Sequence, residues 1–127
     1  MIEPMIFEIF GETPSKKNSR ITLPNGRTIP GKKYRQWHGG AMVQLERQKK
    51  EKPPFKPIEY TVRVSLDFYH SDNRRRDSDN GTSSILDVLQ DSGILLDDRW
   101  QIVRELKIRN HKAENAHCVI QILQIED

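Results

Sequence analysis

One stretch of the chain concentrates aspartate. Seven Asp and no Glu fall within the 27 residues from Asp72 to Asp98. A generic solvated surface mixes the two acids, so this segment predicts a site that needs short carboxylates. Asp77 and Asp79 are separated by one residue, and in extended backbone two such side chains share a side and can converge on one cation. Mg²⁺ prefers oxygen ligands of this kind.

A Mg²⁺ site at this Asp-x-Asp pair needs a third protein ligand. Asp98 is the candidate, because a helix of about ten residues followed by a reversal would return the chain near the start of that helix. The expected ions would neutralise a phosphodiester and activate water for in-line attack. The alternative is that Ser78 or Asp79 only caps a helix, with Asp87 on its solvated face.

Positive charge is concentrated in the other half of the chain. Residues 1–57 hold 12 Lys and Arg against 5 acids, whereas residues 58–127 hold 9 against 13. A basic half joined to an aspartate cluster predicts a polyanionic ligand, although a solvated basic surface stays open. The candidate phosphate contacts are Lys16, Lys17, Arg20, Arg74, Arg75 and Arg76.

The expected elements form one α+β domain over residues 1–127. Hydrophobic periodicity and the Asn25–Gly26 pair predict strands, a hairpin and two helices. The strands are expected at 5–10, 58–69, 102–108 and 117–125, the hairpin at 21–23 and 27–29, and the helices at 32–52 and from about 78 to 90. Their order predicts a mixed sheet covered by two helices, with the 58–69 strand at its centre.

Several aromatic and nucleophilic side chains are expected to be structural. Tyr34, Trp37 and Trp100 fit core packing better than base stacking. The four histidines lack the spacing of metal ligands; His70 ends the central strand and could contact the acidic site, but a general-base role is not expected. Cys118 lies in an apolar run and is expected to be buried.

The composition excludes several classes of protein. No apolar run approaches the roughly 18 residues of a membrane helix, and no secretory signal is visible. One cysteine excludes an internal disulfide framework. We therefore expect a cytoplasmic protein that contacts no membrane.

Residues 74–103 carry a pattern that resembles the RusA-type crossover junction endodeoxyribonucleases. The segment reads RRRDSDNGTSSILDVLQDSGILLDDRWQIV, with a basic cluster, D-x-D-N, an Asp-x-Leu step, a Gly and a D-D pair. Residues 14–18, PSKKN, loosely resemble the proline-rich amino-terminal loop of that family. Ser83 stands where family members often have a lysine.

This resemblance implies a RusA-like fold and a homodimeric nuclease that uses Mg²⁺, with Mn²⁺ as a substitute, and no nucleotide cofactor. Its implied action is the resolution of four-way (Holliday) DNA junctions by paired symmetric nicks in recombination and repair. The implied catalytic and metal-binding residues are Asp77, Asp79 and Asp98. Because Ser83 replaces the lysine, a non-catalytic, structure-selective DNA-binding protein stays open, as does a nuclease for other branched DNA.

Overall fold

The computed structural model of the chain describes residues 3–16 and 20–126, so the predicted phosphate contact Lys17 lies outside the described residues. The elements are β1 (Met5–Phe10), β2 (Arg20–Thr22), β3 (Thr28–Pro30), α1 (Lys32–Lys50), β4 (Val62–His70), α2 (Thr82–Asp91), β5 (Val103–Lys112) and β6 (His117–Gln124). The prediction of an α+β fold with a mixed sheet and two helices is confirmed.

The main sheet has the strand order β1-β6-β4-β5. β4 pairs with β6 antiparallel and with β5 parallel, so the predicted central position of this strand is confirmed. Its side chains alternate between the two faces of the sheet. The inner face of β4 is fully apolar and buried: Val62, Val64, Leu66 and Phe68.

Both helices contribute to the same core as this inner face. Ala41 and Leu45 of α1, and Ile85 and Leu89 of α2, are buried in one cluster with the strands. α1 ends at Lys50, shortly before Pro53–Pro54, because proline cannot continue a helix. The part of the chain that the structure describes has no helix long and apolar enough to cross a membrane.

The segment from β4 through α2 to β5 is a crossover between parallel strands. Val62 is opposite Val103, and His70 is opposite Lys112, so both strands begin at one end of the sheet and finish at the other. α2 therefore returns the chain from the carboxyl ends of these strands to their amino ends. Consequently, residues 71–81 and 92–102 lie at opposite ends of the sheet.

Other boundaries differ from the predicted ones by up to four residues: β5 extends to Lys112 instead of ending at 108, and α2 begins at Thr82. β4 starts at Val62 because Ile58 forms only an isolated bridge with Leu95. β2 and β3 form a separate, largely exposed hairpin, as expected. The prediction that Trp100 packs in the core is wrong: it is exposed, and the Arg104 guanidinium lies 5.1 Å from its ring centroid.

Candidate active site

Asp77 and Asp79 lie in a turn between β4 and α2. The backbone N–H of Asn80 donates to the Asp77 carbonyl at 3.0 Å, and that of Thr82 donates to the Asp79 carbonyl at 3.1 Å. Both side chains are exposed. Among the described residues, neither carboxylate has a hydrogen-bond or ion-pair partner. These bonds form successive turns, so the extended backbone expected between the two aspartates is not observed. Free carboxylates are nevertheless suitable ligands for a hard cation.

The expectation that Ser78 or Asp79 caps α2 is wrong. The N-cap is Gly81, and no side chain caps this helix end. A Cβ at Gly81 would lie 2.7 Å from Thr13 Cγ2 and 2.9 Å from Phe68 Cε1, so the close approach of these side chains requires glycine. The Asp79 carboxylate is therefore not used to cap α2.

Residues 13–16, between β1 and β2, pack against the start of α2. The Ser84 hydroxyl donates to the Pro14 carbonyl at 2.6 Å and accepts from the Lys16 backbone N–H at 3.1 Å. The Thr13 side chain also lies against Gly81. Residues 13–16 thus support the helix end that follows the Asp-x-Asp turn.

Arg76 orders the segment between β4 and α2, residues 71–81, which we call the acidic loop. Its guanidinium donates two hydrogen bonds to Asp72, at 2.7 and 3.2 Å, and lies 3.5 Å from Glu12. The hydrogen bond from Arg76 lowers the pKa of the Asp72 carboxyl well below its ordinary value, and the same bond raises the pKa of Arg76. Since only 16% of the Arg76 side chain is exposed, this arginine orders the loop. Arg74 and Arg75 are the exposed members of the basic triplet.

The remaining predicted phosphate contacts have different environments. Lys16 forms an ion pair with Asp87 at 3.1 Å, so its charge is directed toward α2. Arg20 is exposed in the hairpin, away from this pairing. Arg20, Arg74 and Arg75 are thus the predicted cations that present exposed side chains.

Asp98 does not lie beside Asp77 and Asp79 of its own chain. It directly precedes the turn over residues 99–102, which lies next to the start of β4, where the Ile102 carbonyl accepts a hydrogen bond from Val62 N–H at 2.7 Å. The Asp-x-Asp turn lies at the other end, where the Asn110 amide donates to the Ser78 carbonyl at 2.8 Å. Val103 and Asn110 are seven residues apart along β5, or roughly 23 Å at about 3.3 Å per residue.

The expected return of the chain to the start of its helix is therefore wrong. It assumed a simple reversal after α2, but β5 is parallel to β4, so the crossover carries Asp98 to the far end of the sheet. Asp97 accepts a hydrogen bond from the Asp98 backbone N–H and lies 3.6 Å from Arg99, whereas the Asp98 side chain is exposed. Asp98 is thus accessible to a second molecule.

A cavity of about 370 Å³ lies at the Asp-x-Asp end of the sheet. His70 is fixed there, with Nδ1 2.9 Å from Glu12 and Nε2 2.8 Å from the Asn110 side-chain oxygen. The expected closeness of His70 to the acidic loop is therefore observed. The lining residues are His70, Asp72, Asn73, Arg74, Arg76, Asp77, Ser78, Asn110, His111 and Lys112.

Residues 110–112 of this lining were not identified from the sequence. They follow no motif, and only the parallel pairing of β5 with β4 brings them to the acidic loop. The end of β5 is an unbroken run of polar residues, RNHK, so hydrophobic alternation gave no signal for them.

A second group of potential metal ligands connects the two helices. Ligand atoms of His38, Asp87 and Asp91 lie within 4.8 Å of one another, a proximity that sequence spacing could not indicate because the residues come from α1 and α2. However, Asp87 already accepts hydrogen bonds from Tyr34 and Lys16, and His38 is paired with Asp91 at 2.7 Å. These partners account for the cluster as a helix-to-helix contact.

Comparison with known proteins adds a family assignment to this geometry. The family model described as endodeoxyribonuclease RusA matches residues 11–123. This range contains residues 14–18, the Asp-x-Asp turn, α2, Asp98 and all but the last residue of β6. No curated protein matches the chain.

Proposed function

The chain belongs to the endodeoxyribonuclease RusA family, and from this premise we propose that it is a Mg²⁺-dependent endonuclease that resolves four-way DNA junctions by paired symmetric nicks, in recombination and repair. The observation that carries the proposal is the Asp77 and Asp79 pair. These exposed carboxylates are not used for helix capping or ion pairing among the described residues, and Asp77 borders a cavity that arginines also line.

Asp77 and Asp79 are the residues that would hold Mg²⁺, or Mn²⁺ as a substitute. Bound there, the cation would stabilise charge on the phosphodiester and supply activated water. The chain itself positions the DNA: Arg74 and Arg75 offer exposed charges to phosphates, and the Arg76–Asp72 pair fixes the loop between them and β4. Ser83, exposed on the first turn of α2, offers only a neutral hydrogen bond where a lysine would offer a charged one.

A homodimer would complete the site. Asp98 lies near the amino ends of β4 and β5, whereas the Asp-x-Asp turn contacts Asn110, which is roughly 23 Å from Val103 along β5. It can therefore join Asp77 and Asp79 only across an interface, as Asp98 of the partner subunit. A two-fold dimer built in this way has two equivalent sites, which suits paired nicks in a four-way junction of approximate two-fold symmetry.

The test uses a synthetic mobile four-way junction and a matched linear duplex, incubated with the protein and either Mg²⁺ or EDTA. We expect symmetric nicks in the junction only, with Mg²⁺ only. Asp77→Asn should reduce nicking at least about a hundredfold, because a metal ligand is lost. The same variant should bind the junction as tightly or more tightly, because a charge that repels phosphate is removed.

Asp91→Asn is the matched control, since Asp91 is an exposed aspartate outside the Asp-x-Asp turn. It should nick at the wild-type rate. Tight junction binding without nicks from the wild type would favour a non-catalytic DNA-binding protein. Equal cleavage of the duplex would instead contradict junction selectivity and favour a broader nuclease.

A further inference from the structure

Three rings form a stack across the open face of the sheet. Tyr69 of β4 lies between His111 of β5 and His117 of β6, with ring centroids 4.6 and 4.4 Å apart and planes inclined by 21° and 3°. All three are opposite one another in the strand register, so they share one face. Phe68 and Cys118, their neighbours in sequence, are buried on the other face.

This stack ends at the cavity beside the acidic loop. β5 is the edge strand, and His111 lines the cavity together with Asp77. Tyr69 covers one face of the His111 imidazole, and among the described residues no further ring covers the second face. Nε2 of His111 lies 2.7 Å from Asp67 Oδ1, which fixes the orientation of the ring. About a third of the side chain, 34%, is exposed.

The rim of the cavity supplies positive charge. Arg74 and Lys112 are exposed and both line the cavity, and the Lys112 ammonium lies 3.2 Å from the Asn73 side-chain oxygen. An ordered ring surface flanked by cations is the chemistry that binds single-stranded nucleic acid, in which bases stack on rings and phosphates contact the cations. Bases within a continuous duplex are already stacked on each other and do not offer a free face.

We propose that this cavity binds one unpaired nucleotide of a DNA strand, with its base stacked on His111 and its phosphates against Arg74 and Lys112. The proposal rests on the proposed action on branched DNA, and it identifies the feature by which the protein selects a junction, where bases at the branch point become unstacked. Tyr69 and His117 support the ring that the base contacts.

The test measures stacking directly and without cleavage. An oligothymidylate with a single 2-aminopurine is titrated with the protein in EDTA, and quenching of the 2-aminopurine fluorescence reports stacking. We expect quenching by the wild type. His111→Gln should abolish the quenching and weaken binding about tenfold, since it removes the ring but keeps a hydrogen-bonding group for Asp67.

Two further variants separate stacking from a structural effect. His111→Phe keeps a ring and loses the hydrogen bond to Asp67, so it should retain quenching. His38→Gln makes the same chemical change on α1, outside the stack, and should behave as the wild type. Circular dichroism verifies that each variant is folded.

The inference is overturned if the wild type binds the oligonucleotide without quenching, or if His111→Gln quenches as the wild type does. It is also overturned if His111→Gln alters the oligomeric state in sedimentation and leaves quenching unchanged, since the stack would then belong to an interface between copies. Nicking of junctions without quenching would reject this subsite alone. Quenching without any nicking would reject the proposed nuclease function alone.

Discussion

Asp87 connects three parts of the molecule, whereas Asp77, Asp79 and Asp98 of the same aspartate-rich segment are exposed. It accepts hydrogen bonds from the Tyr34 hydroxyl of α1 and from the Lys16 ammonium. Burial opposes ionisation of Asp87, but these two hydrogen bonds outweigh it, so the pKa of this carboxyl is lowered. Burial, and then the bond to Asp87, raises the pKa of Tyr34. Asp87 therefore stabilises the packing of α1 against α2 and holds Lys16 beside them.

Asp87→Asn should lower the free energy of unfolding by about 1 to 2 kcal/mol at pH 7, because a charge-assisted pair of hydrogen bonds is weakened. A group with a lowered folded pKa contributes stability above its unfolded pKa, near 3.9, and loses it as the pH falls through the folded pKa. The difference between the two proteins should therefore shrink below about pH 4. Urea unfolding of both proteins at pH 7 and pH 3 measures this difference in unfolding free energy. A difference independent of pH would contradict a stabilising role for the ionised Asp87 carboxylate.

Ser83 is the residue at which a single change should add catalytic power. It is exposed on the first turn of α2, four residues after Asp79, so a longer side chain meets no packing constraint. Ser83→Lys should increase the single-turnover nicking rate about tenfold, because a cation replaces a neutral donor near the developing phosphate charge. Gln36→Lys adds the same charge on an exposed position of α1, and an equal gain there would show that only bulk charge matters.

At the scale of elements, the sequence predicted most of the fold because periodicity is a local property. β1, the hairpin, α1 and the central strand all follow from alternation, helical spacing and the Asn25–Gly26 turn. The start of α2 could not be predicted from local sequence. It is set by Gly81, and glycine is required there because Thr13 and Phe68, which are distant in sequence, approach it closely. The direction of β5 did not follow either, since strand pairing is a long-range property.

Gly81→Ala should test this close approach. The added Cβ would lie 2.7 Å from Thr13 Cγ2 and 2.9 Å from Phe68 Cε1, so Thr13 or the aromatic ring has to shift. We expect a loss of about 1 to 3 kcal/mol in the free energy of unfolding, typical of overpacking. Urea unfolding provides the measurement.

Gly39→Ala is the matched control for that change. Gly39 lies within α1, and a Cβ there meets no atom within 4 Å. It should stabilise the protein by about 0.5 to 1 kcal/mol, because alanine is the better helix former. A Gly81→Ala variant as stable as the wild type would show that residues 13–16 move freely and do not support the Asp-x-Asp turn.

At the scale of the whole molecule, the sequence indicated the candidate site residues but not their arrangement. Asp77, Asp79 and Asp98 were chosen by type and spacing, and the structure places the first two in one turn and the third at the far end of a parallel crossover. A spacing along the chain cannot distinguish a site within one copy from a site shared by two. The arrangement therefore depends on how copies associate.

Mixed dimers distinguish these two arrangements. Asp77→Asn and Asp98→Asn chains, co-expressed with different affinity tags and purified through both tags, form dimers with one copy of each variant. If Asp98 of the partner subunit completes each site, both substitutions fall in one site and the other site is intact, so the mixed dimer should nick at about half the wild-type rate. Its nicks should occur on one strand of each junction instead of in symmetric pairs.

The same mixed dimer should be inactive if each copy builds its own site, because each site would then carry one substitution. Either variant alone should be inactive under both arrangements, so only the mixed dimer is informative. Since β5 runs parallel to β4 and holds Asp98 away from Asp77 of the same chain, we expect the mixed dimer to nick. A dimer that binds junctions through both tags but leaves them intact would contradict the shared site and require a large rearrangement of the crossover when DNA binds.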